Sequence, residues 1–195
     1  MPRTLEQNKK IKEASKKRIM EAALKVFGEY GFDGASVSQI AREAGISTGL
    51  MYNYFASKDD LVLTIVDDFL EHHFGEWGKK ISDAQTPYDK LVVAVDRYVI
   101  PLQEDVNKWR LIRELSVRKE FKDEFWNIVS PIRNVYAKQL ESLYLQLGED
   151  PVKGFWGLQT FLEGVASCYC SYGEKYPIQQ IRNQYLKGYR QKLYE

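Results

Sequence analysis

Between positions 47 and 54 the chain reads "STGLMYNY". Thr48, Tyr52 and Tyr54 supply hydroxyls, Asn53 supplies a carboxamide and Gly49 supplies no side chain. Hydroxyls and amides both donate and accept hydrogen bonds, which suits phosphate oxygens and the edges of stacked bases. A core helix would carry leucines at these positions, so this helix is expected to lie against something outside the protein. Gly49 would let that partner approach the backbone closely. Ahead of it, Gly45 tolerates a backbone conformation that a Cβ penalises. Ser47 is placed to cap the helix, and the first N–H groups of that turn point outward, where a phosphate could sit. Lys58, at the start of the following helix, is placed for a second phosphate.

The elements that must position these groups read as helices throughout, because apolar residues recur at three and four. The first runs from about Ser15 to Tyr30 with Ile19, Ala22, Ala23, Val26 and Phe27 as its apolar stripe, and Gly31 lies just past its end. "SVSQIAREAG" opens on Ser36 with Gln39 three residues on, a capping box. Gly45-Ile46-Ser47 then makes a three-residue turn into the short helix, whose inward residues are expected to be Leu50, Met51 and Phe55. Two short helices joined this way are helix-turn-helix geometry, in which the second helix enters a major groove. Ser57 with Asp60 signals a fourth helix, continuing from Leu61 to about His73. "FGEWGKKISDAQTP" is expected to be a joint at about 75–87, followed by helices at about 87–101, 104–117, 121–147, 152–173 and 177–194. Pro131 should kink or break the third of these near Ser130. The expected fold is all-α, about nine helices. Its N-terminal helix-turn-helix domain is expected at 1–60, with a basic arm at 1–14, and its second helical domain at 61–195.

Bulk properties narrow the function. The 195 residues carry a net charge of only +1, but the balance is uneven. Residues 1–58 hold ten Lys/Arg against six Asp/Glu, and 59–195 hold eighteen against twenty-one. The N-terminal end is therefore the basic one. No apolar run approaches the roughly 18 residues that a membrane span requires, and the first residues lack the apolar core of a signal peptide. Cys168 and Cys170 would point about 200° apart on a helix, so a disulfide framework is not expected and the chain reads as cytoplasmic. His72 and His73 are adjacent and cannot share a helix face, and no cluster has metal-ligand spacing. No nucleophile elbow, metal signature or phosphate loop is present, so neither an enzyme nor a bound cofactor is expected.

Residues 15–62 resemble the DNA-binding domain of TetR-type transcriptional regulators. The resemblance is carried by Ile19, Ala22, Ala23, Phe27, Gly31, Phe32, Ser36, Val37, Ile40, Ala41, Ala44, Gly45, Ile46, Ser47, Gly49, Tyr52, Tyr54, Phe55, Lys58 and Leu61, in register. Position 20 is Met where that family often has Leu. The resemblance implies that Thr48 and Gly49 open a recognition helix and that Tyr52 touches phosphate or a thymine methyl. Tyr54 and Lys58 are implied phosphate contacts, and Ser36 and Ser38 phosphate or base contacts. Asn53, variable in the family, is the candidate for part of the sequence reading.

One such helix reads only a few base pairs, so a dimer on a palindromic operator is expected, with half-sites roughly 34 Å apart. In "KGFWGLQTFLEGVASCYCSYG" the small residues Gly157, Thr160, Gly164, Cys168 and Ser171 form one stripe, and larger residues form another. The small stripe, with Ile181, Tyr185 and Tyr189 on the last helix, is the expected homodimer face, since the resembled family pairs its last two helices across a two-fold axis. The middle helices concentrate aromatics. Tyr98, Trp109, Arg113, Phe125, Trp126 and Phe161 are candidates for a small-molecule pocket, although aromatics at helical spacing also simply fill cores. The expectation is a sequence-specific repressor released from double-stranded DNA by a small apolar or aromatic effector. A ligand-independent or activating regulator, or a helical interaction protein, is the alternative.

Overall fold

The computed structural model describes residues 4–75 and 77–194. Residues 1–3 of the expected basic arm and residue 76 of the expected joint lie outside the described residues. All the regular structure among the described residues is helical. The chain divides into two compact units, Met1–Asp68 and Phe69–Glu195.

The first unit holds α1 (Leu5–Gly34), α2 (Val37–Glu43), α3 (Thr48–Tyr52) and the first turns of α4 (Lys58–Phe74). α1 begins ten residues earlier than its apolar stripe indicates. Thr4 and Gln7 form a capping box, with Gln7 N–H donating to Thr4 Oγ1 at 3.2 Å and Thr4 N–H to Gln7 Oε1 at 3.0 Å. Lys10–Glu6 and Lys9–Glu13 pairs one turn apart support this exposed stretch, so it needs no apolar face. Gly31 breaks the regular helix at φ 70°, a left-handed conformation that only glycine adopts at little cost. Ile19, Ala23, Phe27, Phe32, Ile40, Ala41, Met51, Phe55, Leu61 and Val62 are buried together as the core of this unit. Leu50, expected to face inward, is instead 40% exposed. A helix of one and a half turns has room for Met51 and Phe55 beneath it and nothing more.

The second unit holds the end of α4, α5 (Trp77–Asp83), α6 (Pro87–Glu104), α7 (Val106–Ser116), α8 (Lys122–Gln146), α9 (Pro151–Tyr172) and α10 (Ile178–Tyr194), with single 3₁₀ turns at Lys119–Phe121 and Gly173–Lys175. The segment expected to be only a joint carries α5. α6 and α9 start alike: Thr86 and Asp150 cap the first turn, and Pro87 and Pro151 occupy its first position, where no N–H is missed. α8 packs along α9, and α6 packs against α9 and α10. Leu91, Val95, Leu102, Leu140, Leu158 and Leu162 on these helices are buried, as is Leu115 on α7. α8 and α9 meet so closely that a Cβ on Gly154 would stand 2.3 Å from the ring of Tyr144. Arg182 on α10 grips Asp96 on α6 with two hydrogen bonds, one of 2.6 Å from Nη2. Of the kink or break expected at Pro131, the break does not occur. α8 runs through it unbroken, and the hydroxyl of Ser130 donates to the Trp126 carbonyl one turn back at 2.5 Å.

Candidate nucleic-acid interface and ligand cavity

The turn between α2 and α3 is built by its backbone. Gly45 sits at φ 66°, its N–H bonds the Arg42 carbonyl at 3.1 Å, and Ile46 N–H reaches back to Ala41 O at 2.9 Å. Ser47 Oγ accepts from Leu50 N–H at 3.1 Å and fixes the start of α3. Ser36 does the same for α2, exchanging bonds with Gln39. With Met51 and Phe55 buried below, the rest of α3 faces out. Tyr52 is 53% exposed, Gly49 and Asn53 are exposed, and Thr48 and Tyr54 are half-buried. Asn53 and Tyr54 lie in the turn that ends the helix, where their N–H groups bond Leu50 O and Met51 O. Beyond its chain neighbours and its own helix backbone, nothing among the described residues lies within 4 Å of where a Gly49 Cβ would stand, so packing does not explain the glycine. Ser38 is exposed on α2.

Lys58 is placed differently from the expectation. Its ammonium donates to the carbonyls of Phe32 at 2.6 Å and Ala35 at 2.9 Å and lies 4.4 Å above the Phe32 ring. It closes the C-terminal end of α1, where a cation also meets the negative end of the helix dipole.

A cavity of about 450 Å³ lies within the second unit, inside the range of roughly 300–1,000 Å³ that small-molecule sites occupy. α4 contributes Leu70 and Phe74, α6 Arg97 and Tyr98, and α7 Trp109, Ile112 and Arg113. α8 supplies one face at spacings of three and four, Phe125, Trp126, Val129, Ile132, Arg133 and Tyr136, and α9 supplies Trp156, Gln159 and Glu163. The pocket candidates Tyr98, Trp109, Arg113, Phe125 and Trp126 all line this cavity. Phe161 does not: it stacks on Tyr185 of α10 at 3.9 Å, nearly parallel. Position 161 lies two residues from both Gln159 and Glu163, so it takes the other side of α9. Arg97, a candidate polar group for such a pocket, also lines it, whereas Arg133 and Phe74 were not among the expected pocket residues. For Arg133 a signal exists, since it continues the Trp126–Val129 face of α8.

The cavity combines rings with charge. The Arg97 guanidinium carbon lies 3.5 Å from the Tyr136 ring centre, 4.4 Å from that of Phe74 and 5.3 Å from that of Tyr98. Burial pulls the Arg97 pKa below its usual value. Burial pushes the Tyr98 and Tyr136 hydroxyls up, so both remain protonated donors at neutral pH. Arg113 binds Glu163 at 2.6 Å, and Glu114 binds Arg118 at 2.6 Å.

Of the expected dimer face, Gly157, Thr160, Gly164 and Ser171 are exposed and Cys168 is half-buried. Ile181, Tyr185 and Tyr189 are half-buried. The two tyrosines also serve the protomer: Tyr185 stacks on Phe161, and Tyr189 packs near Tyr144, with ring centres 6.3 Å apart.

Comparison with known proteins bears on both regions. Residues 19–65 match the sequence profile of the family described as bacterial regulatory proteins, tetR family. The HTH-type transcriptional regulator HbdR of Aromatoleum sp. (strain CIB) is 37% identical over 98 residues, 49% of this chain and 43% of HbdR. The fatty acid metabolism regulator protein of Bacillus subtilis (strain 168) is 26% identical over 102 residues, 52% of each chain. The matched segments thus span about half the length of these relatives. The fold matches more fully. The crystal structure of FadR from Bacillus subtilis, in complex with stearoyl-CoA, superposes with a TM-score of 0.72 at 22% identity, covering 88% of this chain and 96% of FadR. The ketosteroid transcriptional regulator KstR2 of Mycobacterium tuberculosis gives 0.71 at 19% identity, covering 89% and 92%. Residues 19–65 thus match the tetR-family regulators in sequence, and most of the chain shares the fold of these solved structures.

Proposed function

We propose that this protein is a homodimeric, sequence-specific DNA-binding transcriptional repressor, released from a palindromic operator when a small molecule enters the α4–α9 cavity. The observation that carries the reading is the outer face of α3. Thr48, Gly49 and Tyr52 of α3, with Asn53 in the turn that ends it, are left above the buried Met51 and Phe55. On this reading Tyr52 and Tyr54 hold phosphate, Ser36 and Ser38 position α2 on the backbone, and Thr48 and Asn53 read base edges. Lys58 supports the fold rather than the DNA.

α4 gives the cavity a covalent route to the recognition unit, since one helix begins at Lys58 and ends in the cavity wall with Leu70 and Phe74. A ligand that favours the DNA-free arrangement shifts the population toward it, and a hundredfold loss of operator affinity requires about 2.7 kcal/mol of coupling. FadR of Bacillus subtilis was solved with stearoyl-CoA, which supports a ligand role for the corresponding helical region here. The two-fold partner is expected to dock on Gly157, Thr160, Gly164 and Ser171.

Selection of bound sequences from random duplex DNA tests the reading. An inverted repeat is expected, with affinity falling steeply as salt rises. Tyr52→Ala should weaken binding to all duplexes, whereas Asn53→Ala should change which repeat is preferred. Failure to enrich any repeat, together with flat salt dependence, would overturn it.

A further inference from the structure

The wall of the α4–α9 cavity carries one buried donor with nothing to donate to. Trp109, on α7, lines the cavity and is only 6% exposed, and its indole N–H finds no acceptor among the described residues. The groups packed beside the indole are rings. Phe69 stands 5.5 Å away, edge to face, and Tyr98 5.2 Å away, tilted. A ring is at most a weak acceptor. Elsewhere in the wall, Glu163 is held by Arg113 at 2.6 Å, and the Ser116 hydroxyl donates to the Arg113 carbonyl at 2.8 Å.

A buried indole N–H usually has a partner, because an unmet donor out of water costs free energy that no other contact returns. Water is a poor remedy here. A buried water needs two to four polar partners, and rings flank this donor. A ligand oxygen or nitrogen needs only the one bond, provided that an apolar body carries it into the cavity. The rest of the wall suits such a body. Phe125, Val129 and Ile132 line it with side chains that make no hydrogen bond. Trp126 and Trp156, 38% and 54% exposed, add two indoles on its solvent side.

We propose that Trp109 is the specificity-determining donor of this cavity. The ligand is then a flat or apolar compound that carries a hydrogen-bond acceptor, such as a ketone, ester or ether oxygen or a ring nitrogen, and that acceptor takes the bond from Trp109 Nε1. A hydrocarbon of the same shape fills the space and leaves the donor unmet. This rests on the cavity being the effector site, and it specifies one group that the effector carries.

Two matched pairs of probes make the test: 9-fluorenone with fluorene, which are rigid and flat, and benzophenone with diphenylmethane, which are flexible. The members of each pair share a skeleton and differ by one carbonyl. They are titrated against the full-length protein labelled with ¹⁵N. The four tryptophans give four indole N–H signals, and Trp109→Phe identifies the one from Trp109. A ketone should move that proton downfield of its position with the matched hydrocarbon, whereas Trp126 and Trp156 should respond to both. The ratio of ketone to hydrocarbon affinity should fall about tenfold in Trp109→Phe, the loss of one hydrogen bond. Phe125→Leu removes no polar group, so it should weaken both members of a pair and leave their ratio unchanged. If Trp109→Phe does not fold, the wild-type spectra decide, with the Trp109 signal assigned by substituting the other three tryptophans in turn. A Trp109 proton that ketone and hydrocarbon leave in the same place, a change of ratio that Phe125→Leu reproduces, or no saturable binding of either ketone would overturn the proposal. Operator affinity measured with 9-fluorenone present separates it from the reading beneath. A shifted Trp109 signal with unchanged operator affinity would uphold the donor and sink the cavity's role as effector site.

Discussion

Lys58 separates a structural role from a DNA-binding role at a single atom. Lys58→Met keeps the aliphatic stem over Phe32 and removes the ammonium that bonds Phe32 O at 2.6 Å and Ala35 O at 2.9 Å. Hydrogen bonds to a charged group are each worth about 1.5–3 kcal/mol. Lys58 is only half-buried, so water recovers part of that, and about 2–3 kcal/mol for the pair is the reasonable total. That corresponds to roughly 30- to 150-fold faster exchange of the most protected amides in the first unit, read by hydrogen exchange. The slope of operator affinity against salt should stay unchanged, because no phosphate contact is lost. A phosphate-binding lysine gives the opposite pair of results: near-normal exchange and a slope smaller by about one. Exchange rates within about threefold of the wild type, with that smaller slope, would refute the inward placement.

Gly154→Ala should destabilise the second unit by about 1–3 kcal/mol, since its Cβ would stand 2.3 Å from the buried Tyr144 ring; urea unfolding measures this. Gly157→Leu combined with Gly164→Leu should leave helical content intact, because nothing among the described residues beyond their chain neighbours and own helix backbone lies within 4 Å of either Cβ, yet yield a monomer by sedimentation at micromolar concentration. His73 should make stability fall in mild acid. Burial first, and then the neighbouring His72, hold its pKa below the ordinary 6.5, so the folded protein binds fewer protons than the unfolded chain. Its contribution is complete above the ordinary value and is lost as pH falls from there toward the depressed one, where the folded protein is finally protonated too. His73→Gln should flatten the urea midpoint against pH between about 5 and 7.

The first unit was legible in the sequence because its signals are local. A capping box at Ser36–Gln39, a left-handed glycine at position 45 and a serine cap at position 47 each act within four residues, and together they specify α2, the turn and α3. The start of α1 escaped because the stretch after Thr4 is polar on every side, and only its capping box and i,i+4 pairs mark it as helical. The small-residue stripe on α9 was also readable, since its periodicity is that of one helix.

Tertiary structure decided what depends on several helices at once. Lys58 and the carbonyls it binds are more than twenty residues apart, so no local pattern says whether its charge faces in or out. Phe161 and Trp156 are both aromatic residues on α9, yet one stacks on α10 and the other opens the cavity. Arg113 pairs with Glu163, fifty positions away, a partner that only the packing of α7 on α9 could supply. Helical periodicity determines which residues share a face. What that face meets depends on how five helices pack, and that packing brought Tyr98, Trp109, Phe125 and Trp126 together around one cavity.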